Sequence, residues 1–95
     1  MAVLDYDIGA NVILERFRKA IGIEHWTYRL EWDEQHKGWR YGAWDEKDKE
    51  NKFVGIFLSP QMMKSPAFED ELEAVFRHLH NQAQEIEKGK RWLNE

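Results

Sequence analysis

The clearest pattern along the chain is a strict alternation of large apolar and polar residues over residues 26–32, WTYRLEW. Successive side chains leave a β-strand on opposite faces, so this alternation predicts a half-buried strand, which we place at residues 24–32. Four large apolar side chains share one face of it: Trp26, Tyr28, Leu30 and Trp32. Two shorter strands are predicted to follow, at residues 39–44 and 53–58.

The third predicted strand, FVGIFL, is apolar on both faces. Continuous apolar strands are typical of sheets that are covered on both sides. In a simple meander this strand would lie at a sheet edge, with one face and one row of backbone groups open. The sequence therefore predicts that the strand is either central or covered by something, which is a first indication of self-association.

One helix is predicted on each side of the three strands. In residues 8–21, apolar residues recur at three- and four-residue spacing, with Asp7 as N-cap and Gly22 as the residue that ends the helix. In residues 66–88, a second apolar stripe follows Ser65-Pro66, a pair that suits the N-cap and the first helical position. Gly89 would end this helix, but Lys90 and Leu93 continue the spacing of the stripe, so an extension to Leu93 is equally possible. This order predicts an α+β fold, α-β-β-β-α, with a three-stranded antiparallel sheet packed with two helices.

Length and composition limit what the chain can be. Its 95 residues predict a single domain, 1–95. Five Trp, five Phe and three Tyr are many for this length and are expected mainly to fill a thin core. There is no Cys, so neither a disulfide nor a thiolate zinc site is possible. We expect a cytoplasmic location without membrane insertion, because the chain shows neither a secretory pattern nor an apolar run of roughly 20 residues.

No residue pattern indicates catalysis or metal binding. The hydroxyl candidates are Thr27, Ser59 and Ser65. None of them lies in a Gly-x-Ser-x-Gly elbow, and no Gly-rich phosphate loop is present. His78 and His80 flank opposite sides of the helical stripe and cannot readily share one ion, and His25 and His36 are isolated in the sequence. We therefore expect a non-enzymatic protein with no catalytic residue, no metal ligand and no cofactor.

The surplus of apolar side chains favours a binding function. The residues predicted for a contact surface are aromatic, methionine and acidic: Trp44, Phe53, Phe57, Met62, Met63, Glu69, Asp70 and Glu71. Exposed aromatic patches mark interaction sites, and the acids would steer a basic partner. The sequence thus predicts a small protein-binding or regulatory protein, an acidic inhibitor or a subunit of a complex, and it leaves a homodimer open.

A nucleic-acid-binding module is the alternative. Arg29, Arg40 and Trp44 are predicted to share one sheet face, which would offer a stacking platform and positive groups. The α-β-β-β-α order is also that of double-stranded-RNA-binding domains, which use basic residues where their last helix begins. Acids at residues 69–71 occupy that place here, so the match is topological only. The net charge of −4 also makes this the weaker interpretation.

Overall fold

A computed structural model describes the backbone of residues 2–93 and the side chains of residues 9–89. Its elements are helix α1 (Ala2–Ile21), strands β1 (Thr27–Asp33), β2 (Gly38–Trp44) and β3 (Phe53–Leu58), the one-turn helix α2 (Pro60–Met63) and helix α3 (Phe68–Leu93). The strands form one antiparallel sheet in the order β1-β2-β3. The predicted α+β class and α-β-β-β-α order are confirmed, with α2 as an additional helical turn.

The register of the two hairpins gives the sheet two distinct faces. Tyr28 pairs with Ala43, which pairs in turn with Val54, and these three side chains face the helices. On the other side of the sheet, Gly42 pairs with both Arg29 and Gly55. Since side chains alternate along each strand, the whole inner face follows from this register. It consists of Tyr28, Leu30, Trp32, Trp39, Tyr41, Ala43, Val54, Ile56 and Leu58.

Phe17 of α1 lies at the centre of the core. Its fully buried ring has centroid distances of 6.0 Å to Tyr28, 6.2 Å to Tyr41 and 5.9 Å to Phe76. These three rings belong to β1, β2 and α3, so one side chain joins four elements. The Tyr41 hydroxyl donates a hydrogen bond of 2.9 Å to the Ala10 carbonyl and thereby fixes α1 on β2. Both long helices therefore pack against the inner face.

The apolar stripes predicted from helical spacing provide most of the remaining core. Among the described side chains of α1, residues 9–21, those buried besides Phe17 are Ala10, Ile13 and Ile21. On α3, they are Phe68, Leu72, Phe76, Leu79 and Ala83, with Val75 and Ile86 packed against them. Within residues 2–93, none of the helices has the length and apolarity needed to cross a membrane.

Helix α1 starts earlier than predicted but ends where predicted. It begins at Ala2, so Asp7 lies inside the helix and is not its N-cap. The prediction was wrong because helix propagation is cooperative and passes through residues, such as Asp, that favour caps in isolation. At the other end, Gly22 adopts a φ of 72° and donates its amide to the Arg18 carbonyl at 3.0 Å. This is the left-handed termination that the sequence indicates.

Strand β1 starts later than predicted, at Thr27, because residues 23–26 form a turn. The Trp26 amide donates to the Ile23 carbonyl at 3.2 Å, which closes that turn. Trp26 is nevertheless buried, since its side chain reaches the core from the turn and its Nε1 donates to Glu87 Oε1 at 2.6 Å. At the far end of the strand, Trp32 is exposed. The alternation thus locates the strand but extends it too far toward the N-terminus.

The last helix begins later than predicted. Ser65 and Pro66 lie in a turn, in which Ser65 Oγ accepts the Ala67 amide at 3.3 Å, and α3 begins only at Phe68. The capping role predicted for Ser65-Pro66 belongs instead to Ser59-Pro60, which starts α2. The two Ser-Pro pairs differ at the third residue after the serine: Met62 Sδ accepts the Ser59 amide at 3.5 Å, whereas Phe68, three residues after Ser65, carries no acceptor. At the other end, α3 continues to Leu93, which is the longer of the two ends that the apolar spacing allows.

Two glycine substitutions should change stability in opposite directions. Gly22→Ala should lower the free energy of unfolding by about 1–2 kcal/mol, because a Cβ disfavours a positive φ. Gly89→Ala should raise it by up to about 1 kcal/mol, because alanine is the better helix former. An added Cβ at Gly89 meets no atom within 4 Å. Urea denaturation of both variants and the wild type measures the two shifts, and shifts of equal sign would contradict this account.

Candidate functional site

The side of the sheet turned away from the helices is open, and we call it the outer face. It is formed by the alternate residues of the three strands: Thr27, Arg29, Glu31, Asp33, Gly38, Arg40, Gly42, Trp44, Phe53, Gly55 and Phe57. Three of the predicted contact aromatics, together with both predicted arginines, are among them. The structure thus brings the aromatic residues of the protein-binding set and all three residues of the nucleic-acid-binding set onto one surface.

A groove of about 610 Å³ crosses the middle of the outer face. Gly42 and Gly55 pair with each other and form its floor, since neither carries a side chain. Trp44 and Phe53 form another cross-strand pair and line one end of the groove, while Phe57 lines the other. A flat floor between aromatic walls suits either an extended peptide or a flat apolar ligand.

The aromatic walls differ in how firmly they are held. Phe57 is half-buried and lies against Gly38, where an added Cβ would collide with its ring. The guanidinium carbon of Arg40 lies 5.6 Å from the centroid of the same ring. Phe53, in contrast, is 69% exposed, the highest value among the large apolar side chains of the described residues. Apolar exposure on this face is therefore concentrated along β3.

Both arginines of the outer face are paired with carboxylates. Arg29 forms an ion pair of 2.7 Å with Glu31, and Arg40 forms one of 2.7 Å with Asp33. The hydrogen bond from the His36 side chain, with smaller contributions from the His36 amide and Arg40, holds the pKa of Asp33 far below its usual range. The face is thus nearly neutral, and its arginines already have anionic partners.

The other five predicted contact residues lie outside the outer face. Met62 is exposed on α2, whereas Met63 packs against the core beside Gly9. The acids at residues 69–71 are exposed in the first turn of α3, and Glu69 forms an ion pair of 2.9 Å with Arg16 of α1. These acids belong to the helix layer and do not contribute to the groove.

A second cluster joins three distant parts of the chain. His25 lies in the turn before β1, Asp45 directly follows β2, and Glu87 belongs to α3. His25 Nε2 lies 3.6 Å from Asp45 Oδ2 and 3.4 Å from Glu87 Oε1. The prediction that His25 is isolated is therefore wrong, because residues far apart in sequence meet only when the helix layer closes on the sheet. No local spacing could have indicated this cluster.

The two histidines of α3 have different environments, in line with their spacing. His80 Nδ1 lies 2.8 Å from the carbonyl oxygen of Ala20 and 3.2 Å from that of Ile21. These carbonyls belong to the last turn of α1, where helix carbonyls lack intrahelical donors. His78 is exposed. His80 therefore has a structural role at the end of α1.

Comparisons with known proteins assign no family to this chain. A scan of protein-family models, a search of curated proteins and a search of solved structures each found no match. What the protein does has to be inferred from its own geometry.

The ion pairs of Asp33 should make part of the stability depend on pH. Because the folded-state pKa of Asp33 is depressed, its contribution is complete above the unfolded-state pKa of about 4 and is lost as the pH falls toward the folded value. We expect the stability difference between the wild type and Asp33→Asn to shrink steadily below about pH 4. Urea denaturation across this pH range measures it, with Glu24→Gln as a control for loss of an exposed carboxylate. A constant difference would contradict the assignment.

Proposed function

We propose that this protein is a small non-enzymatic binding protein that contacts another polypeptide through its outer face and the edge of β3. The observation that supports this most strongly is the aromatic-walled groove beside an unprotected edge strand. The cytoplasmic location expected from the sequence remains a prediction within this proposal.

The lining of the groove favours binding over catalysis. Among the described residues that line it, none is a Ser, Thr, Cys, Lys or His, and its one carboxylate, Glu31, is held in an ion pair with Arg29. The two arginines have carboxylate partners on the same face. A neutral aromatic groove fits a polypeptide better than a phosphate backbone, which is bound chiefly by unpaired positive charge.

In the part of the chain that the structure describes, the edge formed by β3 lacks the usual protection against pairing. Sheet proteins guard their edges with charges, proline or bulges. The six residues of β3 include neither a charged residue nor proline, whereas the opposite edge strand, β1, carries Arg29, Glu31 and Asp33. An unpaired strand edge can accept a further strand through main-chain hydrogen bonds. Edge and groove together therefore form one continuous surface for an extended segment.

The partner segment that we propose is β3 of a second copy. Because this strand is uncharged, antiparallel pairing with itself brings no like charges together. With the two-fold axis at Gly55, Phe53 of each copy lies opposite Phe57 of the other, and aromatic cross-strand pairs of this kind are stabilising. The sheets of both copies would merge, so that their outer faces become continuous. We expect a weak dimer, with a dissociation constant on the order of micromolar.

Replacing Phe53 with lysine tests this interface. Phe53→Lys should raise the dissociation constant of the dimer at least tenfold, because it removes both aromatic pairs and adds a charge of the kind that protects natural edges. Its effect on the fold should be small, since Phe53 is 69% exposed. Sedimentation equilibrium measures the constant, and thermal unfolding checks that the domain remains folded.

Val12→Lys is the matched control. Val12 is another exposed large apolar residue, 55% exposed on α1, so the same change there should leave the dimer intact. A wild-type chain that stays monomeric at about a hundredfold the expected dissociation constant would contradict the second copy as partner. Equal weakening by both variants would mean that the association does not use the β3 edge.

A further inference from the structure

We propose that His25, Asp45 and Glu87 bind a divalent transition-metal ion, with zinc as the best match. This inference uses residues outside the outer face and does not depend on the proposed dimer. It rests on the spacing of the three side chains, on the contacts that orient them and on their unequal exposure.

The distances in the cluster match metal ligands better than hydrogen bonds. The 3.4 and 3.6 Å separations from His25 Nε2 exceed the 2.7–3.2 Å range of nitrogen–oxygen hydrogen bonds. Tetrahedral zinc with bond lengths of about 2.0–2.2 Å separates its ligand atoms by roughly 3.3–3.6 Å. One ligand atom from each residue lies within 4.8 Å of the others. Small side-chain adjustments would therefore place all three around one ion.

Neighbouring groups orient both carboxylates toward the histidine. Trp26 Nε1 donates to Glu87 Oε1 at 2.6 Å, and hydrogen bonds of this kind orient metal-binding carboxylates. Asp45 Oδ1 accepts the Lys47 amide at 3.0 Å, while Asp45 Oδ2 is the oxygen closest to His25. The carboxylates thus have orientations fixed from outside the cluster, which lowers the entropic cost of binding an ion.

The exposure of the three side chains leaves a route for the ion. The side chain of His25 is 59% exposed, whereas those of Asp45 and Glu87 are 12% and 18% exposed. An ion would enter beside the imidazole and keep its fourth position for water. One nitrogen and two oxygens suit zinc and similar first-row metals, whereas calcium takes six to eight oxygen ligands.

Zinc titration of tag-free, chelator-treated protein by isothermal calorimetry tests the proposal. We expect one ion per chain and a rise in melting temperature with added zinc, because the ion would link the turn before β1, the end of β2 and α3. His25→Ala should weaken binding at least tenfold. Glu87→Gln should also weaken it, while the amide oxygen can still accept the Trp26 hydrogen bond.

His78→Ala is the matched control, since His78 is an exposed histidine of α3 outside the cluster. Unchanged binding in this variant, together with weakened binding in His25→Ala, would support the site. Absence of zinc binding to the wild type, or equal binding to the wild type and His25→Ala, would overturn the proposal and leave the cluster as ion pairs only. Circular dichroism of each variant without zinc separates loss of the site from loss of the fold.

Discussion

The aromatic contacts of Phe17 are the constraint on which the rest of the structure depends. This ring meets side chains of β1, β2 and α3, so α1 and α3 must both lie on the inner face of the sheet. Within residues 2–93 there are two long helices that can cover the sheet, and this contact places both on the same side. The open outer face is therefore a consequence of how the core is packed. A meander order then leaves the uncharged strand β3 at an edge.

The glycines of the sheet serve both the fold and the groove. A Cβ at Gly55 would lie 2.9 Å from the Tyr41 carbonyl, so the close approach of β2 and β3 itself requires glycine there. The same missing side chain lowers the floor of the groove between Phe53 and Phe57. Gly38 likewise allows the Phe57 ring to lie against β2. The shape of the candidate site is thus built into the strand pairing and needs no separate loop or lid.

Local periodicity correctly predicted the features that depend only on residues close together in the sequence. The two-residue period placed Arg29, Arg40 and Trp44 on one face, as the register has them. It could not show that Trp26 enters the core from a turn, because alternation continues through residues that are not in the strand. The capping signal failed at Ser65-Pro66, where the third residue after the serine is Phe68 and not an acceptor such as the Met62 that follows Ser59-Pro60. The sequence could not reveal the His25 cluster, because its members come together only in the tertiary structure.

The outer face and the histidine–carboxylate cluster adjoin each other in the fold. Asp45 follows Trp44, and Trp44 pairs with Thr27, two residues after His25. Their residues are nevertheless separate, since the groove has aromatic walls, a glycine floor and ion-paired side chains at its sides, whereas the cluster consists of an imidazole and two other carboxylates. Phe53 contributes no atom to the cluster, and His25 contributes none to the groove. Loss of dimerisation with retained zinc binding, or the reverse, would therefore identify which of the two surfaces the protein uses.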